Sequence, residues 1–169
     1  MRQLLLPMAR AKLLDKKTLE ELMKKLQCKI EIQEENEAII EGNEGNAYAE
    51  YIAYNVLSAF GRGFPIEKAY RLLSDGIFFK SIDLKDMFKN KKQIMRVKAR
   101  VIGRGGKAKN YIQAVSGADI AVYGNTISGI GTVEQLRIAY SAIDILLSGG
   151  THKKAYRVME KERSESEGV

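Results

Sequence analysis

The stretch "VIGRGGKAKNYI", residues 101–112, decides how this chain is interpreted. It places three glycines and two lysines between an apolar lead-in and a segment with helical periodicity. Loops rich in glycine and bearing a lysine hold the phosphates of a nucleotide, the pyrophosphate of a dinucleotide cofactor or the backbone of a nucleic acid. The residues on either side distinguish these three sites.

Two of the three sites do not fit the flanking residues. A nucleotide-binding P-loop needs a glycine five positions before its Gly-Lys pair and a Ser or Thr after the lysine, but Val101 and Ala108 stand there. The dinucleotide fingerprint is matched loosely by Gly103, Gly105 and Ala108. It also needs a carboxylate at the end of the next strand, and residues 123–125 supply none. A hairpin, rather than a crossover, follows that strand.

The third site, a G-x-x-G clamp for a nucleic-acid backbone, fits the spacing of Gly103 and Gly106. Glycine lets the main chain turn sharply and approach a sugar-phosphate backbone without a Cβ in between. The N-terminus of the following helix favours phosphate, and Arg104, Lys107 and Lys109 add positive charge. An apolar floor would then receive about four unstacked bases. Its predicted members are Ile102, Ile112, Ile120 and Val122.

The chain contains a divergent internal repeat. Leu22 corresponds to Ile112 and Ile30 to Ile120, ninety positions apart, and later matches such as Tyr51 with Tyr140 continue at eighty-nine. Each half therefore predicts the order β-α-α-β-β-α. The approach to the glycine loop alternates like a strand and also fits one helical face, so both remain open there. Residues 13–16, Leu-Leu-Asp-Lys, replace the glycine loop in the first half.

Charge is distributed unevenly between the halves. Residues 1–75 carry 11 basic and 12 acidic side chains, whereas residues 76–169 carry 17 and 9, which favours a polyanionic partner for the second half. Cys28 and His152 are the only residues of their types, so a disulfide, a Cys/His zinc site and a Cys-His nucleophile pair are not expected. No apolar run is long enough for a membrane span, and a cytoplasmic protein is expected.

The segment "VIGRGGKAKNYIQAVSGADIAVYG" resembles the core of a KH domain, and the element order is that of type I. The linker "AFGRGFPIEKAYRLLSDGIFFKSIDL" and the ending "ILLSGGTHKKAYRVMEKER" extend the resemblance to archaeal KH proteins that mature small-subunit ribosomal RNA. These are relatives of the eukaryotic pre-ribosomal KH protein that partners a PIN-domain endonuclease. The resemblance implies an α+β fold of two tandem type I KH domains. Its expected divisions are a degenerate KH domain at 1–63, a linker helix at 64–77, a KH domain with the GRGG loop at 78–150, and a C-terminal helix and tail at 151–169.

The resemblance also implies a function. It predicts a non-enzymatic protein that binds single-stranded RNA near the 3′ end of small-subunit rRNA, with the PIN-domain endonuclease and the alpha subunit of initiation factor two as partners. No cofactor, metal or catalytic residue is implied. The implied RNA contacts lie in the second half and are Lys98, Arg100, Ile102, Gly103, Arg104, Gly105, Gly106, Lys107, Lys109, Asn110, Ile120 and Val122.

Two other functions remain open. The first is an adaptor that docks a translation factor or a nuclease, with RNA binding secondary. A nucleotide-cofactor enzyme is the more distant alternative, because no acid-base group stands beside the loop. Leu13–Lys16 cannot approach a phosphate closely and brings in a carboxylate, so the first half is expected to be a scaffold or a protein-docking face.

Overall fold

The computed structural model describes residues 1–168, and the chain divides into two compact units. The first unit runs from Met1 to Ser74, and the second begins at Asp75. Each contains a three-stranded antiparallel sheet, so the α+β class expected from the sequence is confirmed. Within the described residues, no helix is both long and apolar enough to cross a membrane.

The first unit has the expected element order, with a very short first helix. Its central strand pairs with both others, and the sheet order is β1-β3-β2. The buried side of the sheet is lined by residues such as Ile30 and Ile40, which stand opposite each other, and the last helix packs there with Ala53 and Leu57 fully buried. The elements are β1 (Arg2–Leu5), α1 (Met8–Ala11), α2 (Lys16–Leu26), β2 (Cys28–Ile32), β3 (Glu37–Gly42) and α3 (Ala47–Gly61).

The segment expected to be a linker helix is broken into two short pieces. Pro65 occupies the N-cap of α4 (Ile66–Ala69), and a 3-10 turn, Tyr70–Leu73, follows it directly. The backbone then becomes extended at Ser74 and passes through Gly76 at a φ of +77°. Helical structure thus covers only part of 64–77, because the proline starts the helix late and the turn after Leu73 ends it early.

The second unit repeats the order with a longer first helix and adds a helix at its C-terminal end. Its sheet order, β4-β6-β5, matches that of the first unit and leaves β5 at an edge. A two-residue turn at Gly124 and Asn125 joins β5 to β6, since Tyr123 pairs with Thr126. The elements are β4 (Phe78–Asp83), α5 (Lys91–Ile102), α6 (Lys107–Ser116), β5 (Asp119–Tyr123), β6 (Thr126–Gly131), α7 (Val133–Leu147) and α8 (His152–Ser166).

The approach to the glycine loop, left open by the sequence, is helical. Asn90 caps α5 by accepting a hydrogen bond from the backbone N–H of Lys92 at 2.8 Å. Ile94, Val97 and Val101 are buried at three- and four-residue steps, which is the spacing of one helical face. The alternation of basic and apolar residues there reflects a partly exposed helix rather than a strand.

The core of the second unit lies between the sheet and its helices. Its fully buried members include Ile127 on β6, Ile143 and Leu146 on α7, and Met159 on α8. The C-terminal helix is thus part of this core, because Ala155 and Met159 are both at 0% exposure. The core fixes α5 and α6 against the sheet, and the loop between these helices is held at both ends.

Candidate nucleic-acid interface

The GRGG loop is a tight reversal between α5 and α6. Gly103, Gly105 and Gly106 have φ values of +75°, +61° and +79°, a region that side-chain-bearing residues rarely adopt. The backbone N–H of Gly103 donates to the carbonyl of Ala99 at 2.8 Å and ends α5. Gly106 is the N-cap of α6 and has no side chain that could cap it.

The glycines of the loop have different environments. A Cβ on Gly103 would lie 2.7 Å from both the Cβ and the backbone nitrogen of Ala108, so this glycine lets the loop close onto α6. A Cβ on Gly105 would have no neighbour within 4 Å, and one on Gly106 would meet only the Nδ2 of Asn110, at 3.7 Å. The backbone at Gly105 and Gly106 is therefore open to an incoming group, whereas Gly103 is structural.

The polar residues predicted around the loop are largely on the surface. Arg104, Lys107 and Asn110 are exposed, and Lys109 is half-buried. Between Asp86 and Asp119 the sequence has no acidic residue. The exposed cations and the positive end of α6 therefore lie at the same loop, and no carboxylate between residues 86 and 119 offsets their charge. This arrangement favours an anionic ligand.

The four apolar residues predicted as a groove floor divide into two pairs. Ile112 and Ile120 are 0% and 3% exposed, in the core beneath the sheet and helices. The predicted contact between Ile120 and an RNA base is therefore corrected to a core position, because its burial leaves no surface for a base. Ile102 and Val122 are half-buried, at the end of α5 and on the edge strand. Only this second pair offers surface to a ligand.

Arg100 has a structural contact that the sequence did not reveal. Its Nη2 donates to the carbonyl of Gly150, in the turn between α7 and α8, while its Nε is buried without a hydrogen-bond partner. Its own carbonyl lies 2.7 Å from Nε2 of His152 and accepts a hydrogen bond from it. Arg100 thus ties the end of α5 to the start of α8, and this structural role is the alternative to the RNA contact predicted for it.

Lys98 lies beside a surface cavity of about 670 Å³. Ile94 and Met95 supply apolar surface there, and Met95 is 69% exposed. Asn125, from the hairpin turn, and a group of lysines complete the lining, and these are Lys85, Lys89 and Lys91. An apolar surface rimmed by lysines suits unstacked bases joined by phosphates.

A second cavity of about 630 Å³ lies against the loop. The sequence did not predict it. It is lined by Gly105, Lys107 and Asn110, together with Tyr111 and Tyr156. The tyrosine rings meet edge to face with centroids 4.7 Å apart. The hydroxyl of Tyr111 donates to Glu160, and this hydrogen bond raises the pKa of Tyr111. The one feature of the sequence that points to this cavity is the position of Tyr111, one helical turn after Lys107.

The first unit replaces the glycine loop with a capped helix. Asp15, the N-cap of α2, accepts a hydrogen bond from the backbone N–H of Thr18 at 2.7 Å. That hydrogen bond lowers the pKa of Asp15. Leu13, beside it, is 61% exposed. The N-terminus of α2 is already satisfied by a carboxylate, and a phosphate would be repelled from it.

The described part of the chain has no cluster of metal-ligating side chains, and its one cysteine is buried. No cluster of three or more His, Cys, Asp or Glu side chains within residues 1–168 could hold a metal ion. Cys28 is buried, and desolvation, together with the Glu50 carboxylate, raises the pKa of its thiol to about 11. The thiol is therefore protonated at neutral pH and is a poor nucleophile.

A family model for the second KH domain of PNO1, described as a eukaryotic-type KH domain (KH-domain type I), matches residues 78–164. The chain belongs to this PNO1-type KH family. The match contains the glycine loop, both helices beside it and the hairpin, and it extends into α8.

Similar proteins come from archaea and eukaryotes. The KH domain-containing protein MJ0443 of Methanocaldococcus jannaschii is 39% identical over 150 residues, covering 88% of this chain and 65% of that protein. Eukaryotic PNO1 proteins, named as RNA-binding or pre-rRNA-processing proteins, are 28–30% identical, and the chain spans 40–47% of their length. The chain is thus shorter than these relatives.

Two solved structures from Pyrococcus horikoshii have the same fold. Dim2p is 36% identical with a TM-score of 0.86, and the alignment covers 95% of this chain and 98% of that one. A chain from a complex of a/eIF2alpha, aDim2p and rRNA is 33% identical with a TM-score of 0.89, covering 97% and 94%. The resemblance to archaeal relatives of PNO1 expected from the sequence is confirmed.

Proposed function

We propose that this chain is a non-enzymatic RNA-binding protein of small-subunit rRNA processing, which holds single-stranded RNA near the rRNA 3′ end at Gly103–Gly106. The open backbone of Gly105 and Gly106 at the start of α6 carries this proposal, because it gives phosphates direct access to a positive helix end. The names of the PNO1 relatives and the rRNA in the aDim2p complex support it.

Within this proposal, the RNA backbone lies along Gly103–Gly106 and is neutralised by Arg104, Lys107 and Lys109, with Asn110 as a further polar contact. Bases extend over half-buried Ile102 and Val122 and towards Lys98, where the lysine-rimmed cavity lies. Arg100 and Ile120 support this surface from behind.

We further propose that the first unit is a degenerate KH domain. Its element order and sheet order match those of the second unit, while Asp15 occupies the position of the loop. In this division, residues 1–63 form the degenerate domain, 64–77 the linker, 78–150 the RNA-binding domain and 151–169 a C-terminal helix and tail. We place the protein in the cytoplasm, where a lone cysteine stays reduced.

A binding experiment tests the RNA proposal directly. A labelled single-stranded oligonucleotide with the 3′-terminal sequence of small-subunit rRNA should bind, and its affinity should fall with salt with a log–log slope of about −2 to −3 for three or four phosphates. The same sequence annealed to its complement is the control and should bind more weakly, since its bases are paired. Equal affinity for the duplex would contradict the proposal.

A second candidate function is an adaptor that docks the alpha subunit of initiation factor two or a PIN-domain endonuclease. Three apolar side chains in the segment from β1 to α2 favour it, because Leu5, Met8 and Leu13 are 61–69% exposed. An adaptor would retain its partner after nuclease treatment and would lose it when these three residues become serine. Partner capture that needs intact RNA would argue against this candidate.

A further inference from the structure

The cavity beside the glycine loop has a composition that the clamp alone does not explain. Two of its five lining residues are tyrosines from different helices, Tyr111 on α6 and Tyr156 on α8. It shares no lining residue with the lysine-rimmed cavity beside Lys98. The glycine loop is therefore adjoined by a second surface, which is aromatic.

The ring of Tyr111 is held in place and remains accessible. Its residue is 36% exposed, while Tyr156 meets it edge to face at 4.7 Å with an interplanar angle of 63°. Glu160 accepts a hydrogen bond from its hydroxyl. A ring fixed at its edge and at its hydroxyl loses little conformational freedom when a flat ligand stacks on it.

The charges around this cavity suit a nucleotide. Lys107 lines it from the loop side, and Arg104 is exposed in the loop itself. Lys153 is exposed one turn before Tyr156 on α8. The Glu160 carboxylate beside the tyrosines accepts a hydrogen bond from the Tyr111 hydroxyl. A phosphate can thus lie towards the loop while the attached base lies over the tyrosine ring.

We propose that Tyr111, supported by Tyr156, stacks on the base of one RNA nucleotide that flanks those held by the glycine loop. This inference rests on the proposed RNA-binding function. It extends the RNA path across the loop to the face formed by α6 and α8, so that longer RNAs bind more tightly than the segment clamped by the loop. Stacking on an aromatic ring tolerates any base, so this contact adds affinity without sequence preference.

Length-dependent binding tests the proposal. The probes are an octanucleotide with the 3′-terminal sequence of small-subunit rRNA and the tetranucleotides cut from it. Tyr111→Leu should weaken octanucleotide binding roughly tenfold and the best tetranucleotide less than twofold, because the stacked base lies outside the clamp. Tyr111→Phe keeps the ring and should retain most of the affinity. Tyr48→Leu removes an exposed tyrosine of the first unit, 63% exposed, and serves as the matched control.

Photo-crosslinking gives a second readout that needs no substitution. 5-Iodouridine placed at each position of the octanucleotide in turn should crosslink to Tyr111 or Tyr156 from a position at one end of the bound segment. Equal binding of octanucleotide by Tyr111→Leu and the parent, or no crosslink to either tyrosine, would overturn the stacking site and leave the clamp intact. Loss of a protein partner without loss of RNA affinity would overturn it too. Failure of the parent to bind either probe would instead refute the clamp itself.

Discussion

Asp15 and Thr18 form the contact that separates the two halves of this chain: the carboxylate accepts the Thr18 backbone N–H at 2.7 Å, at the position where the second half has Gly105. In the first unit the helix end is closed by the protein's own anion. In the second unit the corresponding end begins at a glycine and has no side-chain cap. The same scaffold thus has one helix N-terminus capped by a carboxylate and one without a side-chain cap.

The capping contact predicts a pH-dependent stability of the first unit. The hydrogen bond lowers the folded-state pKa of Asp15, so its stabilisation is present above the unfolded-state pKa and is lost as the pH falls through the folded one. Asp15→Ala should lower the thermal midpoint at pH 7, and Asp15→Asn should keep most of it, because asparagine caps as well. The difference between parent and Asp15→Ala should shrink towards pH 2; a constant difference would show that the carboxylate charge does not matter.

The glycines of the loop should differ in their effect on stability. Gly103→Ala should destabilise the second unit by about 2–4 kcal/mol, since it adds a positive-φ penalty and a clash with Ala108. Gly105→Ala carries only the backbone penalty, about 1–2 kcal/mol. Urea unfolding of both variants measures the difference. Equal losses would mean that α6 moves away from Gly103 at little cost.

The salt dependence of RNA binding should identify the cations in contact with phosphate. Arg104→Gln and Lys107→Gln should each reduce the log–log salt slope by about 0.7, the value for one phosphate of a single strand. Lys24→Gln makes the same change of charge at an exposed position of α2, in the first unit, and should leave the slope unchanged. A similar reduction of the salt slope in all three variants would indicate that RNA binding responds to the net charge of the protein alone.

Arg100 should affect folding rather than RNA binding. Arg100→Met removes the donor to Gly150 and should destabilise the second unit by about 1–2 kcal/mol. Arg96→Met, on an exposed position one turn earlier, is the matched control and should be close to neutral. The salt slope of folded Arg100→Met should equal that of the parent, and a reduced slope would return Arg100 to the RNA surface.

The sequence was sufficient for features that depend on local periodicity. The bounds of α6, Lys107–Ser116, follow from the glycines on both sides, and the repeat reveals the order of strands and helices. The helical nature of α5 could not be decided because its basic and apolar residues alternate over a short stretch. Its buried face becomes evident only against the sheet, where Ile94, Val97 and Val101 share one core.

Features that depend on distant residues were not predictable. Arg100 reaches Gly150, and Tyr111 meets Tyr156, across 50 and 45 positions of sequence, and no local pattern marks either pair. The burial of Ile120 was not predictable either. An alternating strand predicts which residues share a face, but which face is covered by helices is settled by packing.

RNA binding on the open backbone of the GRGG loop is tested most directly by a pair of isosteric variants. Gly105→Asp with Gly106→Asp places two carboxylates at the loop, while Gly105→Asn with Gly106→Asn adds side chains of the same size, which also tolerate positive φ, without charge. The affinity of both for the 3′-terminal rRNA oligonucleotide should be measured beside the parent. If RNA lies on this backbone, the aspartate pair should lose binding and the asparagine pair should lose clearly less. Parent-like binding by the aspartate pair would contradict it.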